Sequence, residues 1–168
     1  AHLRRARQQR RAGVAHRPAA RQEARLPRPL HEPRYLHTPS LAVIYGVATP
    51  PGWTAYTSPA GSPRAGFLTQ VSFLAAHAHP GRSSPTLRGK ALRELLLCQT
   101  VPRPPPNVDF SLLEDANSRL PTARERLALH QSNPVCAGCH KITDPIGLAF
   151  EHFDGAGQYR ATERGAPI

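Results

Sequence analysis

The pattern that most restricts how this chain can fold is the five-residue stretch from Cys136 to His140, which reads CAGCH. Two cysteines separated by two residues, with a histidine directly after the second, are what covalent haem attachment needs. The two thiols add to the haem vinyl groups, and the adjacent imidazole becomes the proximal ligand of the iron. The sequence therefore predicts covalently bound haem c, tethered by Cys136 and Cys139 and ligated by His140.

Chance is a weak explanation for the pattern, since a shuffled chain of this composition would contain it about 0.003 times. Zinc is the stronger rival, because a two-residue gap between cysteines also suits a tetrahedral site. A structural zinc site usually has a second pair of ligands at short spacing, and the third cysteine, Cys98, is isolated. A redox dithiol is the remaining alternative; it requires a low-pKa cysteine at a helix N-terminus beside a βαβ pattern, which we do not find.

The positive charge of the chain is concentrated in its first third. Positions 1–64 carry 11 Arg against Glu23 and Glu32, a net charge of +9, whereas positions 65–168 carry 11 basic and 9 acidic residues. Residues 1–34 lack both the apolar spacing of an amphipathic helix and interleaved aromatic residues, so we expect no nucleic-acid partner. We interpret them as a basic low-complexity tail that is disordered, or that is not native sequence, because their composition resembles a GC-rich gene read in the wrong frame.

The sequence shows no apolar run of transmembrane length and no signal peptide. Covalent haem attachment takes place outside the bacterial cytoplasm, so the haem interpretation predicts a periplasmic or otherwise exported protein. The chain begins at Ala1 without a methionine and ends abruptly at GAPI. We therefore expect a fragment of a longer protein, without a membrane span of its own.

Two helices are predicted upstream of the motif. Residues 64–77 place apolar side chains at helical spacing, which predicts one apolar face. Ser84 followed by Pro85 predicts a helix start, with the serine as N-cap. That helix is expected to run to residue 99, with Cys98 buried at its end. It is expected to bury Leu87, Leu92, Leu95 and Leu96 and to keep Arg88, Lys90 and Arg93 on its solvated side.

The second half of the chain is predicted to be short helices joined by Pro-rich loops. Residues 101–108 read as an extended polyproline spacer. Two capping boxes, Ser111 with Glu114 and Thr122 with Glu125, predict helix starts, and the second helix is expected to reach His130. Asn133 and Pro134 end that helix, and Asp144 with Pro145 is expected to begin a new one after the motif. These signals predict a mostly α fold, a small cytochrome c-like helical module with long Pro-rich loops.

The sixth iron ligand is the open question of the haem interpretation. The chain has no methionine, so His with Met ligation is excluded. Of its histidines we favour His152, twelve residues after His140, or His79, which with His77 precedes a Pro/Gly turn. His130 lies only six residues before Cys136 and is expected on the proximal side. An iron without a sixth protein ligand would favour catalysis or sensing over electron transfer.

Several linked motifs of the chain resemble a known family. They read RAGFLTQ, RSSPTLRGK, PPPNV, CAGCH and DPIGLAFEHFD. Together they are similar to the haem-motif domain found near the C-terminus of large exported proteins of planctomycetes and related bacteria, the domain of unknown function numbered 1588. The resemblance covers about residues 61–168. Members commonly have methionine directly before the Asp-Pro pair, where this chain has Thr143.

The resemblance implies a domain order and a broad biological setting. Residues 35–60 would be the remnant of an upstream helical domain, and residues 61–168 the c-type haem-motif domain, truncated at its C-terminal neighbour. Its partners would be the other domains of the parent protein and an unidentified redox protein. Family members are often associated with complex-carbohydrate metabolism, an analogy that assigns no site.

We expect a c-type haem-binding electron-transfer module of a larger exported bacterial protein, rather than a catalytic domain by itself. The competing class is a structural zinc-binding or helical interaction module without a redox role. Haem-dependent catalysis on a sugar or phenolic substrate is a third class, and it would require an open coordination position and a substrate pocket.

Overall fold

The computed structural model describes residues 31–48, 50–104 and 119–168. Most of the basic tail, and the proposed cap formed by Ser111 with Glu114, lie outside these ranges. Helix is the main element within them, as predicted, and two small antiparallel sheets accompany it. In chain order the elements are β1 (Arg34–His37), α1 (Pro39–Tyr45), β2 (Thr54–Thr57), α2 (Val71–Ala76), α3 (Pro85–Ala91), α4 (Ala123–His130), α5 (Pro134–Gly147), β3 (Thr162–Glu163) and β4 (Ala166–Pro167).

The first sheet and α1 pack against the helical part through aromatic residues. Strand β1 pairs with β2 in antiparallel register, and the Tyr35 ring stacks on Tyr45 with ring centres 4.4 Å apart. The Tyr45 hydroxyl accepts a hydrogen bond from the Val71 amide at the start of α2. The Arg64 guanidinium lies 4.8 Å from the ring centres of both Tyr45 and Phe153. One cation thus joins the N-terminal sheet region to the C-terminal segment.

The apolar core lies between α2, α3 and the segment that follows α5. Its buried members are Phe73, Leu74, Ala91 and Phe153, with Phe67, Leu68 and Phe150 packed against them. The predicted apolar face of residues 64–77 is confirmed except at Ala75, which is exposed, and the α-helix begins only at Val71. A 3₁₀ turn over Phe67–Thr69 precedes it.

Helix α3 begins as predicted and ends differently. Ser84 is its N-cap and accepts a hydrogen bond from the Leu87 amide, with Pro85 in the first turn. After Ala91 the helix widens into a π-helical segment, Leu92–Leu96. The predicted burial of Leu95, Leu96 and Cys98 is wrong, since all three are exposed. In a π-helix the main-chain hydrogen bonds join residue i to residue i+5. The resulting change in residues per turn rotates the following side chains away from the buried face of the helix.

The prediction of a solvated Arg88 is also wrong. Its side chain is fully buried, and its guanidinium donates hydrogen bonds to four main-chain carbonyls, those of Leu74, Phe150, Phe153 and Asp154. The Glu151 carboxylate lies 3.9 Å away and accepts hydrogen bonds from Ser83 and Arg160. We call Arg88, Glu151, Ser83 and Arg160 the Arg88 cluster. It joins α3 to the end of α2 and to the segment after α5.

The helix that carries CAGCH is longer than predicted. Asn133 caps it by accepting a hydrogen bond from the Val135 amide, and it then runs through Pro145 to Gly147. The expected new helix start at Asp144 is wrong, because the Asp144 backbone is helical and its carboxylate bonds to His140 instead of capping. The capping box of Thr122 with Glu125 at the start of α4 is confirmed.

Helices α3 and α5 meet at backbone distance. A Cβ atom added to Gly89 would collide with the carbonyl of Thr143, and one added to Gly147 would collide with the carbonyl of Pro85. Two glycines, one from each helix, therefore make the contact possible. In the parts of the chain that the structure describes, no helix combines the length and hydrophobicity that crossing a bilayer requires.

Candidate functional site

Helix α5 places the three motif side chains on one side. Cys136, Cys139 and His140 follow the helical spacing that brings residues three and four apart together. All three line a cavity of about 360 Å³, a size typical of small-molecule and cofactor sites. Its walls come from α3, α4 and α5, from residues 82–84, and from the Pro-rich segment that follows α3. The remaining lining residues include His79, Arg82, Thr86, Lys90, Pro102, Arg126, Leu127 and His130.

His140 is held by a buried carboxylate. Its Nδ1 lies 2.8 Å from Asp144 Oδ2, and Asp144 is fully buried. The same carboxylate accepts hydrogen bonds from the hydroxyl of Thr86 and from the amide of Gln131, and the Thr143 hydroxyl lies 3.2 Å from it. Because an ionised carboxylate only accepts, Nδ1 carries the proton and Nε2 is the ring nitrogen left for a ligand.

The ionisation of Asp144 results from two opposed effects. Burial alone would raise the pKa of its carboxyl group. The hydrogen bonds from His140, Gln131 and Thr86 outweigh burial and lower the pKa below its ordinary value. The site therefore holds a fixed negative charge behind the His140 ring.

His130 packs directly against His140. The two ring centres are 4.7 Å apart in an edge-on arrangement, and Nε2 of His130 is buried without a hydrogen-bond partner. Burial, reinforced by the neighbouring His140, lowers the pKa of His130, so the ring is neutral at pH 7. The space between the two rings is too small for a planar ligand. His130 therefore contacts the His140 ring directly and helps to hold it in place.

The structure separates the other candidate histidines. His79 lines the same cavity as His140. His152 does not; its Nδ1 donates a hydrogen bond to the carbonyl of Arg160, and its ring stacks on Tyr159. His77 ends α2 and packs edge-on against Phe73, and burial followed by the charge of Arg88 lowers its pKa. Neither His152 nor His77 is part of the cavity wall, and the choice of sixth ligand stays a prediction.

The two motif cysteines are free thiols. Burial raises the pKa of Cys139, and the negative charge of Asp144 adds to this effect. A raised pKa is the opposite of what the attacking cysteine of a redox dithiol requires, so Cys139 does not fit that role. Within the described ranges, no group of three or more His, Cys, Asp or Glu side chains is arranged to hold a metal ion.

The sequence prediction missed Asp144 and its hydrogen-bond donors. His140 and Asp144 are four residues apart, the spacing that places two side chains next to each other on one helix. That signal was present in the sequence. It was hidden because the Asp-Pro pair was interpreted as the start of a new helix.

Comparison with known protein families matches residues 64–163 to PSCyt3, a protein family of unknown function (DUF1588). The chain belongs to this family. The match confirms the resemblance to the numbered domain, and it spans α2 to β3, including the cavity and every motif side chain in it. No curated protein and no solved structure matches the PSCyt3 chain.

Proposed function

We propose that this PSCyt3 domain is a c-type haem-binding module that passes single electrons within a larger exported bacterial protein. One observation carries the proposal: Cys136, Cys139 and His140 line a single cavity, and His140 is held so that Nε2 is left for a ligand. The family name, which contains the abbreviation Cyt, agrees with a cytochrome.

The residues around the cavity fit a haem group in their chemistry. Two thiols on one helical face can form the two thioethers, and an imidazole follows directly. Leu127 and the proline side chains supply apolar wall, while Lys90 supplies positive charge for the carboxylates of haem. Of the two predicted candidates for the second iron ligand, His79 lines the cavity and His152 does not, so we propose His79.

Each residue of the site would have one task in holding the haem. When bound, haem supplies one-electron chemistry at its iron. Cys136 and Cys139 tether it, Nε2 of His140 ligates the iron, and Asp144 fixes the orientation and tautomer of the His140 ring. The Arg88 cluster has no role in haem binding, because the Arg88 guanidinium is fully hydrogen-bonded to main-chain carbonyls. Export, the periplasmic setting and a link to complex-carbohydrate metabolism belong to the same proposal.

Covalent attachment is the decisive test. The full chain, fused to a signal peptide, is produced in a bacterial host that matures c-type haem, and pyridine haemochrome spectra are recorded after denaturation. We expect haem to remain on the denatured chain. It should be lost when Cys136→Ala and Cys139→Ala are combined.

Cys98→Ala is the matched control, because this cysteine is exposed and does not line the cavity. It should retain haem in full. A folded, colourless protein that binds one zinc ion would contradict the haem proposal and favour the structural zinc-binding module.

A further inference from the structure

We propose that Asp144 is a positioning residue which, through His140, stabilises the ferric over the ferrous state and gives the module a low reduction potential. This inference rests on the haem-binding function proposed above. It concerns a side chain that does not touch the haem, and its effect is transmitted by one hydrogen bond.

The geometry around Asp144 shows a carboxylate fixed on all sides. Oδ2 accepts from His140 Nδ1 at 2.8 Å and from Gln131 Nε2 at 2.9 Å. Oδ1 accepts from Thr86 at 2.9 Å. The Thr143 hydroxyl lies 3.2 Å from both Oδ1 and the Cys139 carbonyl, and its one proton can serve either acceptor. The donors come from α3, from the end of α4 and from α5 itself. A buried carboxylate with this many donors keeps both its charge and its position.

The sequence produces this pairing through an uninterrupted helix. His140 and Asp144 are one helical turn apart on α5, and the pair exists only because the helix continues through Pro145. The close approach of α3 at Gly89 brings Thr86 to the same carboxylate. The arrangement therefore belongs to the framework of the domain and does not depend on a loop.

The physical effect follows from the charge of the acceptor. A ligating histidine whose other nitrogen donates to a carboxylate is a more basic ligand than one that donates to a neutral carbonyl. Hydrogen bonds to charged groups are about twice as strong as neutral ones, and burial in a low dielectric strengthens them further. A more basic imidazole gives more electron density to the iron and favours the state of higher charge, which is the ferric one.

The test compares midpoint potentials of haem-loaded full-length variants. In Asp144→Asn the acceptor is neutral, and the ferric preference should fall about 10–100-fold, the range by which metal affinity falls when the hydrogen-bond partner of a ligating side chain is mutated. For a one-electron couple this raises the midpoint potential by about 60–120 mV. Asp154→Asn removes a carboxylate that accepts from the amides of Ala156 and Gln158 and does not line the cavity, and it should leave the potential unchanged.

A second variant predicts a shift of opposite sign. Gln131→Met removes the competing donor to Oδ2, so the carboxylate accepts more strongly from His140. The midpoint potential should then fall. A merely structural role for Asp144 would not give shifts of opposite sign, and this measurement stands even if Asp144→Asn fails to fold.

The haemochrome spectrum separates the two proposals. A wild-type chain without covalent haem would overturn the proposed function and this inference together. A haem-loaded wild type whose midpoint potential equals that of both variants would overturn the role of Asp144 alone. A fall in Gln131→Met, with a rise in Asp144→Asn wherever it folds, would establish it.

Discussion

The Arg88 cluster and the His140 site are both buried groups of charge on the same pair of helices, yet they are completed differently. The guanidinium of Arg88 is used by four carbonyls of the chain and faces Glu151. At the other site, Nε2 of His130 has no partner, and two thiols and Nε2 of His140 remain for a ligand. The Arg88 guanidinium is used entirely within the protein, although Oε1 of Glu151 beside it also lacks a hydrogen-bond partner. At the second site, the motif side chains face a cavity.

This difference separates a structural from a functional use of buried polarity. A buried polar atom without a partner costs about 1–3 kcal/mol. Such atoms occur in both groups, at Glu151 and at His130, so an unpartnered atom alone does not mark a functional site. Arg88 and His140 are both buried and ionisable, so these two properties alone would identify both as candidate functional residues. What distinguishes them is the cavity, which His130 and His140 line and which Arg88 and Glu151 do not.

The largest effect is expected at the Arg88 cluster. Arg88→Met would leave several carbonyls without a donor and remove one cation from Glu151, which we expect to cost about 3–5 kcal/mol of unfolding free energy. Denaturant unfolding of the full chain measures it. Arg124→Met on the exposed side of α4 is the matched control and should change the free energy by less than about 0.5 kcal/mol. A loss of under 1 kcal/mol in Arg88→Met would show that the cluster is not a structural centre.

The contact between the two helices is the next test. Gly147→Ala would force the helix backbone away from Pro85, at a cost of about 1–3 kcal/mol or more. Gly138→Ala is the control on the same helix, because its added Cβ meets no atom within 4 Å. It should be neutral or stabilise the protein by up to about 1 kcal/mol. Equal destabilisation in both variants would contradict the close approach.

The cap of α4 should have a smaller effect, although this helix brings His130 to the cavity. Thr122→Ala removes the side chain that accepts from the Glu125 amide and should cost about 1 kcal/mol, measured by thermal or denaturant unfolding. Glu125→Gln keeps a side chain that can complete the box and should cost less. Were both changes to cost the same, the Thr122 hydroxyl would not be the cap.

The capping box also predicts an acid dependence. Hydrogen bonds from the Thr122 backbone and side chain lower the pKa of Glu125 below its ordinary value of 4.5. A lowered pKa in the folded state means that the contribution is present above pH 4.5 and is lost as pH falls through the folded value. The stability difference between wild type and Glu125→Gln should therefore shrink on acidification. A constant difference from pH 6 to pH 3 would contradict this assignment.

The smallest effect is expected at His130, which packs against His140 in the cavity wall. His130→Phe removes a buried nitrogen without a partner and keeps an aromatic ring, so the unfolding free energy of the haem-free chain should change by less than about 1 kcal/mol. A loss comparable with that of Arg88→Met would place His130 among the structural residues and would remove the contrast between the two clusters.

The sequence predicted local features well and the surroundings of side chains poorly. The caps at Ser84 and Thr122 were recognisable because a cap depends on residues within one turn. The burial of Arg88 was not, because it depends on carbonyls more than sixty residues away in the chain. The exposure of Cys98 follows from a π-helical segment that leaves no clear mark on apolar spacing.

The ligating residues of the site were predicted from the sequence, but the carboxylate that positions His140 was not. The residues Cys136, Cys139 and His140 stand in one short motif, and the structure brings all three to one cavity. Asp144 was overlooked because a proline after an aspartate usually signals a helix start. Here the hydrogen bonds of the buried carboxylate compete with that local preference, and the continuous helix prevails.

The backbone contact of α3 with α5 also has a kinetic meaning for the proposed role. The two glycines lock the helix that carries His140 onto the helix that carries Thr86, and both side chains meet the same carboxylate. A ligand anchored in this way moves little when the charge on its metal changes. Little nuclear movement means a small reorganisation energy, which lowers the barrier for electron exchange in both directions. The spacing of two glycines would thus influence how fast this domain is oxidised and reduced.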